Sequence, residues 1–327
     1  MNMIKRISGT LILPVGMFLF MLVLCRANGK NYFGTWKMWQ TLIPNIGVSV
    51  TCALGIGLQY RAGRFDFSGG AIMLLTSIIA GNLARDLGNS VPLLWVLCLG
   101  VSVALSLLVA LLYVYGRVPI VIITIGMALF LEALTCLLFK GAGVSLVSNL
   151  KLTVFCRYPY VIVPFVLAVV IYAFYYAKTT AGRQSELLAN NQKSAVHIGI
   201  SEKKNVFITY VVSGLIFGLA TLLSIGTGIK GASYTALSTA GQLFSNILPV
   251  FIGLMLAPFC GQTIGLLMGS ITLCLLSYGL SAVFSFEMGS AITTICTGTF
   301  ILLLNVFYVH GMNLIRGFAG IFRKKAL

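Results

Sequence analysis

The chain has 327 residues, of which 59% are hydrophobic and 9% charged, with a mean hydropathy of +1.02, which is too apolar for a soluble globular domain and reads as an integral membrane protein. A formal charge of +16 could suggest nucleic acid, but the 22 Lys and Arg stand in short clusters between apolar segments, the pattern of loops beside a bilayer. The 8 cysteines form no CxxC or metal spacing and fall mostly inside or at the edges of apolar runs, so they read as small apolar residues, not ligands or disulfides.

A membrane span needs roughly 20 apolar residues. Ten runs come near that length, at about 7–25, 41–60, 67–84, 91–115, 119–139, 159–177, 205–227, 245–260, 262–283 and 288–310. Lys5 and Arg6 give the first run the look of a signal peptide, yet its apolar stretch is long and no small-x-small cleavage site follows, so it is taken as a span.

Between the second and third runs lies GRFDFSGGA, residues 63–71, with Asp66 in a chain that holds only 6 acidic residues. Asp66 or Ser68 could cap the helix that follows by accepting bonds from its first free N–H groups. Gly63, Gly69 and Gly70 allow a bend and close packing. Two readings fit: a cap at the cytoplasmic interface, or a broken helix lining a transport pathway, where irregular backbone is shielded from lipid. Glu132, in the fifth run, is a carboxylate inside a span and should face protein or water.

The longest polar stretch, AKTTAGRQSELLANNQKSAVHIGISEKKN at 177–205, has room for two short helices and a turn. Leu187, Leu188, Ala195, Val196, Ile198 and Ile200 alternate there with Arg183, Glu186, Lys193, Lys203 and Lys204, so it reads as either a solvated loop or an amphipathic docking element. The eighth run, broken by Pro249 and Pro258, is the weakest span.

Ten spans place both termini on one side. With the N-terminus inside, the outer segments hold Arg26, Lys30, Lys37, Arg85, Lys140, Lys151, Arg157 and Lys230, and the other 14 of the 22 basic residues lie inside, so both termini are expected in the cytoplasm. FSGGAIMLLTSI at 67–78 and CGQTIGLLMGSI at 260–271 echo each other five spans apart, as in two inverted five-span repeats. The expected fold is an all-α polytopic membrane protein of about ten transmembrane helices, a single permease domain over 1–327.

Three segments together resemble the permease subunits of bacterial ABC importers of the ribose and related-sugar type. That family typically has Gly-Ile-Asp-Leu-Ser-Val-Gly, matched here at Asp66, Ser68 and Gly70. RVPIVIITIGM, residues 117–127, is similar to the family's basic-x-Pro-Pro-Phe-Ile-x-Thr-Leu-Gly at Arg117, Pro119, Ile122, Thr124 and Gly126. Gly182, Arg183, Asn191, Ala195, Gly199 and Ile200, then Ser213 and Gly214, fall at the family's spacing without a gap. Further on, Ile247, Val250, Gly253, Gly261, Gly265 and Gly269 keep the rhythm, but the family's Gly-Gly-Thr-Ser-Leu-x-Gly-Gly core is absent. Where the family often carries Arg-Gly in the fifth span, this chain has Glu132-Ala133.

The resemblance implies a permease in the bacterial cytoplasmic membrane, with Asp66, Ser68, Gly70, Thr124 and Glu132 as pathway candidates. Residues 178–204 would be a cytoplasmic coupling loop whose Gly182, Arg183, Asn191, Ala195, Gly199 and Ile200 engage a separate ATP-binding subunit, Gly199 and Ala195 by allowing close approach. It also implies an extracytoplasmic solute-binding protein, a second permease copy or paralogue, surrounding lipid, and ATP and Mg on the partner ATPase only. The chain itself has no GxxxxGK[ST], and His197 and His310 cannot build a metal site with so few carboxylates, so no cofactor is expected and no catalysis. The alternative is an ion-coupled secondary transporter using Asp66, Glu132 or Glu287.

Overall fold

A computed structural model of the chain describes residues 3–284 and, within 291–303, all but 293 and 301. The run at 288–310, and with it Glu287, His310 and the basic residues from Arg316 onward, lies largely or wholly outside the described residues. Every regular element described is helical apart from one isolated antiparallel bridge, Val144 with Lys230. In chain order the α-helices are α1 (Met3–Ala27), α2 (Trp36–Arg61), α3 (Gly69–Asp86), α4 (Val91–Gly116), α5 (Ile120–Leu137), α6 (Ile162–Lys178), α7 (Thr180–Asn190), α8 (Gln192–His197), α9 (Glu202–Ser224), α10 (Ala240–Cys260) and α11 (Gln262–Val283).

Among the described residues seven helices are long and apolar enough to cross a membrane, or up to eight if α6 and α7, bent by 74° at Thr179, are one broken span. The described residues thus account for seven or eight of the expected ten, and the run at 288–310 lies largely outside them. α3 falls short because its 18 residues close on Asn82, Arg85 and Asp86, and α6 has only 17.

The chain folds as two compact units, one drawn from residues up to Met38 and from Phe251 onward, the other Trp39–Val250. In the first, α1 packs along α11, where a Cβ on Gly279 would meet the Met21 side chain. α11 also meets α10, since a Cβ on Gly253 would lie 2.8 Å from the Cα of Leu266.

The second unit is built around α9, which packs against α3, α4, α6 and α7. Gly214 and Gly218 form a Gly-x-x-x-Gly face, the small-residue spacing that lets membrane helices approach backbone to backbone. A Cβ on Gly214 would sit 2.8 Å from the Cα of Val103, and one on Gly218 2.8 Å from the carbonyl of Cys98, so α4 and α9 touch along their main chains. Beyond these helix ends, Val144, Leu146, Leu152, Cys156 and Ile225 close an apolar cluster with Ile78, Leu94 and Cys98.

Candidate functional site

α2 ends at Arg61 and α3 begins at Gly69, leaving an elbow at 62–68. Gly63 takes φ +74°, a backbone conformation natural to glycine. Asp66 is 8% exposed, and its Oδ1 accepts from the Ser68 backbone N–H at 2.7 Å and from the Ser68 hydroxyl at 2.6 Å. Ser68 stands at the N-cap position of α3, yet its hydroxyl turns back to Asp66 and makes no cap bond to the helix. The expected cap is thus displaced one step: the carboxylate secures the cap residue, and the first helical bond is the Ile72 N–H to the Ser68 carbonyl.

The first turn of α3 runs tight against the segment before α10. A Cβ on Gly70 would lie 3.0 Å from the Thr239 carbonyl, which only glycine at this position avoids. Thr239 is also where Glu132 of α5 arrives. The Glu132 side chain is 2% exposed and, among the described residues, forms no ion pair. Its Oε1 accepts from the Thr239 N–H at 2.8 Å and hydroxyl at 2.6 Å, and its Oε2 accepts from the Ser238 N–H at 3.3 Å. These N–H groups belong to the two residues just before α10, so the carboxylate sits by the helix N-terminus, where a negative charge is favoured. Gly70 and Glu132 therefore meet through Thr239. Thr124, two turns earlier on α5, is buried but bonds only to the Val121 carbonyl of its own helix, at 3.3 Å.

The polar stretch folds as the two short helices α7 and α8. Thr179 caps α7 by accepting from the Gly182 N–H at 3.1 Å, and Gly182 is packed so closely on the backbone of Tyr175 that a side chain would collide with it. Asn191 caps α8 by accepting from the Ser194 N–H at 3.1 Å. α8 closes with Gly199 at φ +91°, its N–H on the Val196 carbonyl at 3.0 Å and the Ile200 N–H on the Ala195 carbonyl at 3.1 Å, which is the Schellman pattern.

Ala195 and Ile200 are turned inward against Leu188 in a small core of the hairpin. Ala195 thus packs within the loop, and Gly199, with open space around its Cβ position, serves the turn itself. The surface left open is formed by Arg183, Leu187, Val196 and Ile198, the last 73% exposed.

The hairpin is tied to the rest of its unit by groups that the sequence pattern did not single out. Arg61 at the end of α2 pairs with Glu186 of α7 and lies 3.7 Å over the Tyr176 ring. Asn205, on the first turn of α9, bonds to Ala181, Ser185 and Arg64. Their sequence separations of 20 to 141 residues explain why no local pattern reveals them.

The family model described as "Branched-chain amino acid transport system / permease component" matches residues 41–309. The inner membrane ABC transporter permease protein YjfF of Escherichia coli (strain K12) is 26% identical, over 82% of this chain and 82% of its own length. The ribose import permease protein RbsC of the same organism is 24% identical over 80% of this chain and 83% of its own length. The fructose import permease protein FrcC of Rhizobium meliloti is 27% identical over 77% and 72%. No solved structure matches the chain at the same stringency.

Proposed function

Because the chain belongs to the family of branched-chain amino acid transport system permease components, we propose that it forms the membrane pathway of an ATP-driven importer for a small polar solute, a sugar. The observation that carries this is the family match over 41–309, joined by relatives named as ribose and fructose import permeases. ATP hydrolysis falls to a separate subunit, and an extracytoplasmic protein delivers the solute. The permease works beside a second copy or a paralogue, in the bacterial inner membrane.

The finer topology we propose is ten spans in two inverted repeats, within one permease domain and with both termini cytoplasmic. The α7–α8 hairpin is the coupling element, presenting Arg183, Leu187, Val196 and Ile198 to the ATPase while Gly182, Asn191, Ala195, Gly199 and Ile200 hold its shape. Asp66, Ser68, Gly70, Thr124 and Glu132 border the solute pathway. Of the carboxylates that an ion-coupled carrier would use, Asp66, Glu132 or Glu287, the last lies outside the described residues, Glu132 accepts through both oxygens and Asp66 through Oδ1 alone, so it is the family match that supports the importer reading.

Ile198→Glu places a charge on the open face without disturbing a packed group. It is expected to leave the permease folded and inserted while lowering both co-purification of the ATPase subunit and solute-stimulated hydrolysis. A variant that assembles, hydrolyses and transports like the parent removes α8 as the coupling element. Uptake that persists without any ATPase subunit, and that follows a proton or sodium gradient, replaces the importer by a secondary transporter.

A further inference from the structure

The α7 helix is not merely adjacent to the elbow between α2 and α3; it is fastened to it. Asn205 is 1% exposed and, besides accepting from the Thr209 hydroxyl of its own helix at 3.4 Å, makes three side-chain bonds to two other segments. Its Nδ2 donates to the Ala181 carbonyl at 2.9 Å, and its Oδ1 accepts from the Ser185 hydroxyl at 3.2 Å, both on α7. The same Oδ1 accepts from Nη2 of Arg64 at 3.1 Å, on the elbow. Four residues beyond Ser185 on the same face of α7, the Cα of Ala189 lies 3.0 Å from where a Cβ on Gly63 would be, so helix and elbow also touch main chain to main chain. Tyr175 of α6 completes the joint, its hydroxyl 2.9 Å from that of Ser185 and 3.0 Å from that of Thr209.

The bonds at Asn205 stiffen the joint, because releasing any one of them leaves a donor or acceptor stranded in a low-dielectric interior. Arg64 is itself buried, and its backbone N–H is held by the Gln59 carbonyl at 3.0 Å. Two residues on, Asp66 fixes Ser68 and thereby the start of α3. The bonded path therefore runs from α7 through Asn205 to Arg64, and along the elbow to Asp66, Ser68 and the first turn of α3. That turn lies against Thr239, at the entrance to α10.

We propose that Asn205 is a positioning residue of transport: it transmits displacement of the α7–α8 hairpin to the Arg64–Asp66 elbow and so to α3. The proposal rests on the hairpin receiving the ATPase. Nothing about Asn205 faces that partner, so its loss should spare association and hydrolysis and spoil only their use. A residue that merely stabilises the fold would lower all three together.

The test uses the assembled transporter in proteoliposomes, read as solute moved per ATP hydrolysed. Asn205→Leu keeps the branched outline and removes every side-chain bond of Asn205, and Arg64→Met removes the elbow's end of the path. Each is expected to keep the ATPase subunit bound and to lower the transport-to-hydrolysis ratio about tenfold, the scale of a lost hydrogen bond to a charged group. The double variant is expected to be no worse than either alone, since both cut one path.

Parent-like ratios in both single variants overturn the relay and leave the coupling hairpin standing. Losses that multiply in the double variant overturn it as well. If Asn205→Leu does not assemble, Ser185→Ala decides, because it removes one small hydroxyl: a lowered ratio with intact assembly supports the relay, and a parent-like ratio overturns it. A parent permease whose hairpin, carrying a cysteine at 198, forms no cross-link to the ATPase overturns relay and coupling hairpin together.

Discussion

The Glu132 carboxylate on α5 accepts both the backbone N–H of Thr239, at 2.8 Å, and its hydroxyl, at 2.6 Å. A charge reversal relative to the resembled family thus finds its partner in the start of a helix instead of in a basic side chain. The arrangement fixes where α10 begins relative to α5, and it leaves the carboxylate no need of a counter-ion.

Glu132→Leu should lower stability by about 1–3 kcal/mol, because it strands the N–H and hydroxyl of the buried Thr239. Glu132→Gln keeps one acceptor oxygen and should cost about half as much. Combined with Thr239→Ala, the Leu variant should lose less than the sum of the two single changes, as expected for partners in one network. Thermal unfolding in detergent measures all three.

At Gly63 the expected change comes from backbone strain. Gly63→Ala must hold an L-residue at φ +74° and press a methyl group toward Ala189, so a loss of about 1–2 kcal/mol is expected, with reduced transport. Melting and uptake assays on the alanine variant check it. Gly88, also at positive φ but with open space around it, should lose stability from strain alone and keep its uptake.

Asp66→Asn retains an Oδ1 that accepts from the Ser68 N–H and hydroxyl, whereas Asp66→Ala retains none. Uptake is expected to fall further in the alanine variant, and Ser68→Ala, which loses only the hydroxyl bond, should lie between it and the parent. Equal and negligible losses in all three would make the elbow an ordinary loop.

The hairpin's second helix has only six residues, so its cap weighs heavily. Asn191→Ala should cost about 1 kcal/mol locally and raise amide exchange across residues 192–197, while exchange in α9 stays unchanged.

Lys230 lies outside the helices, its backbone paired with Val144, and burial holds its ammonium below the ordinary lysine range. A lysine whose pKa falls on folding binds fewer protons folded than unfolded between the two values, so stability rises with pH through that window. Lys230→Met should therefore melt higher than the parent near about pH 7, and the difference should shrink as the pH approaches the ordinary lysine pKa of about 10.4.

Much of the fold was legible because hydrophobic runs report helices directly: 91–115 became Val91–Gly116 and 119–139 became Ile120–Leu137, within two residues. Run length overstates spans where a helix stops early. The run at 67–84 is cut by its polar close at Asn82 and Arg85, and the run at 159–177 starts late and turns sharply into α7. The amphipathic stretch at 177–205 announced two short helices, but the inward turn of Ala195 depends on the Schellman close at Gly199, which alternation alone does not encode. Asn205 escaped notice for a related reason. An asparagine at the head of a helix resembles a solvated loop residue until Arg64, 141 positions away, is brought beside it.

The contact of α4 with α9 at Gly214 and Gly218 has a mechanical corollary. Helices separated by layered side chains can creep past one another as rotamers yield, but two main chains in contact offer no such slack. The pair acts as one beam, and α9 alone, with 23 residues, extends for about 34 Å. Bending is therefore resisted where the main chains touch, between Gly214 and Gly218, and the hinges of the pair are expected outside that stretch.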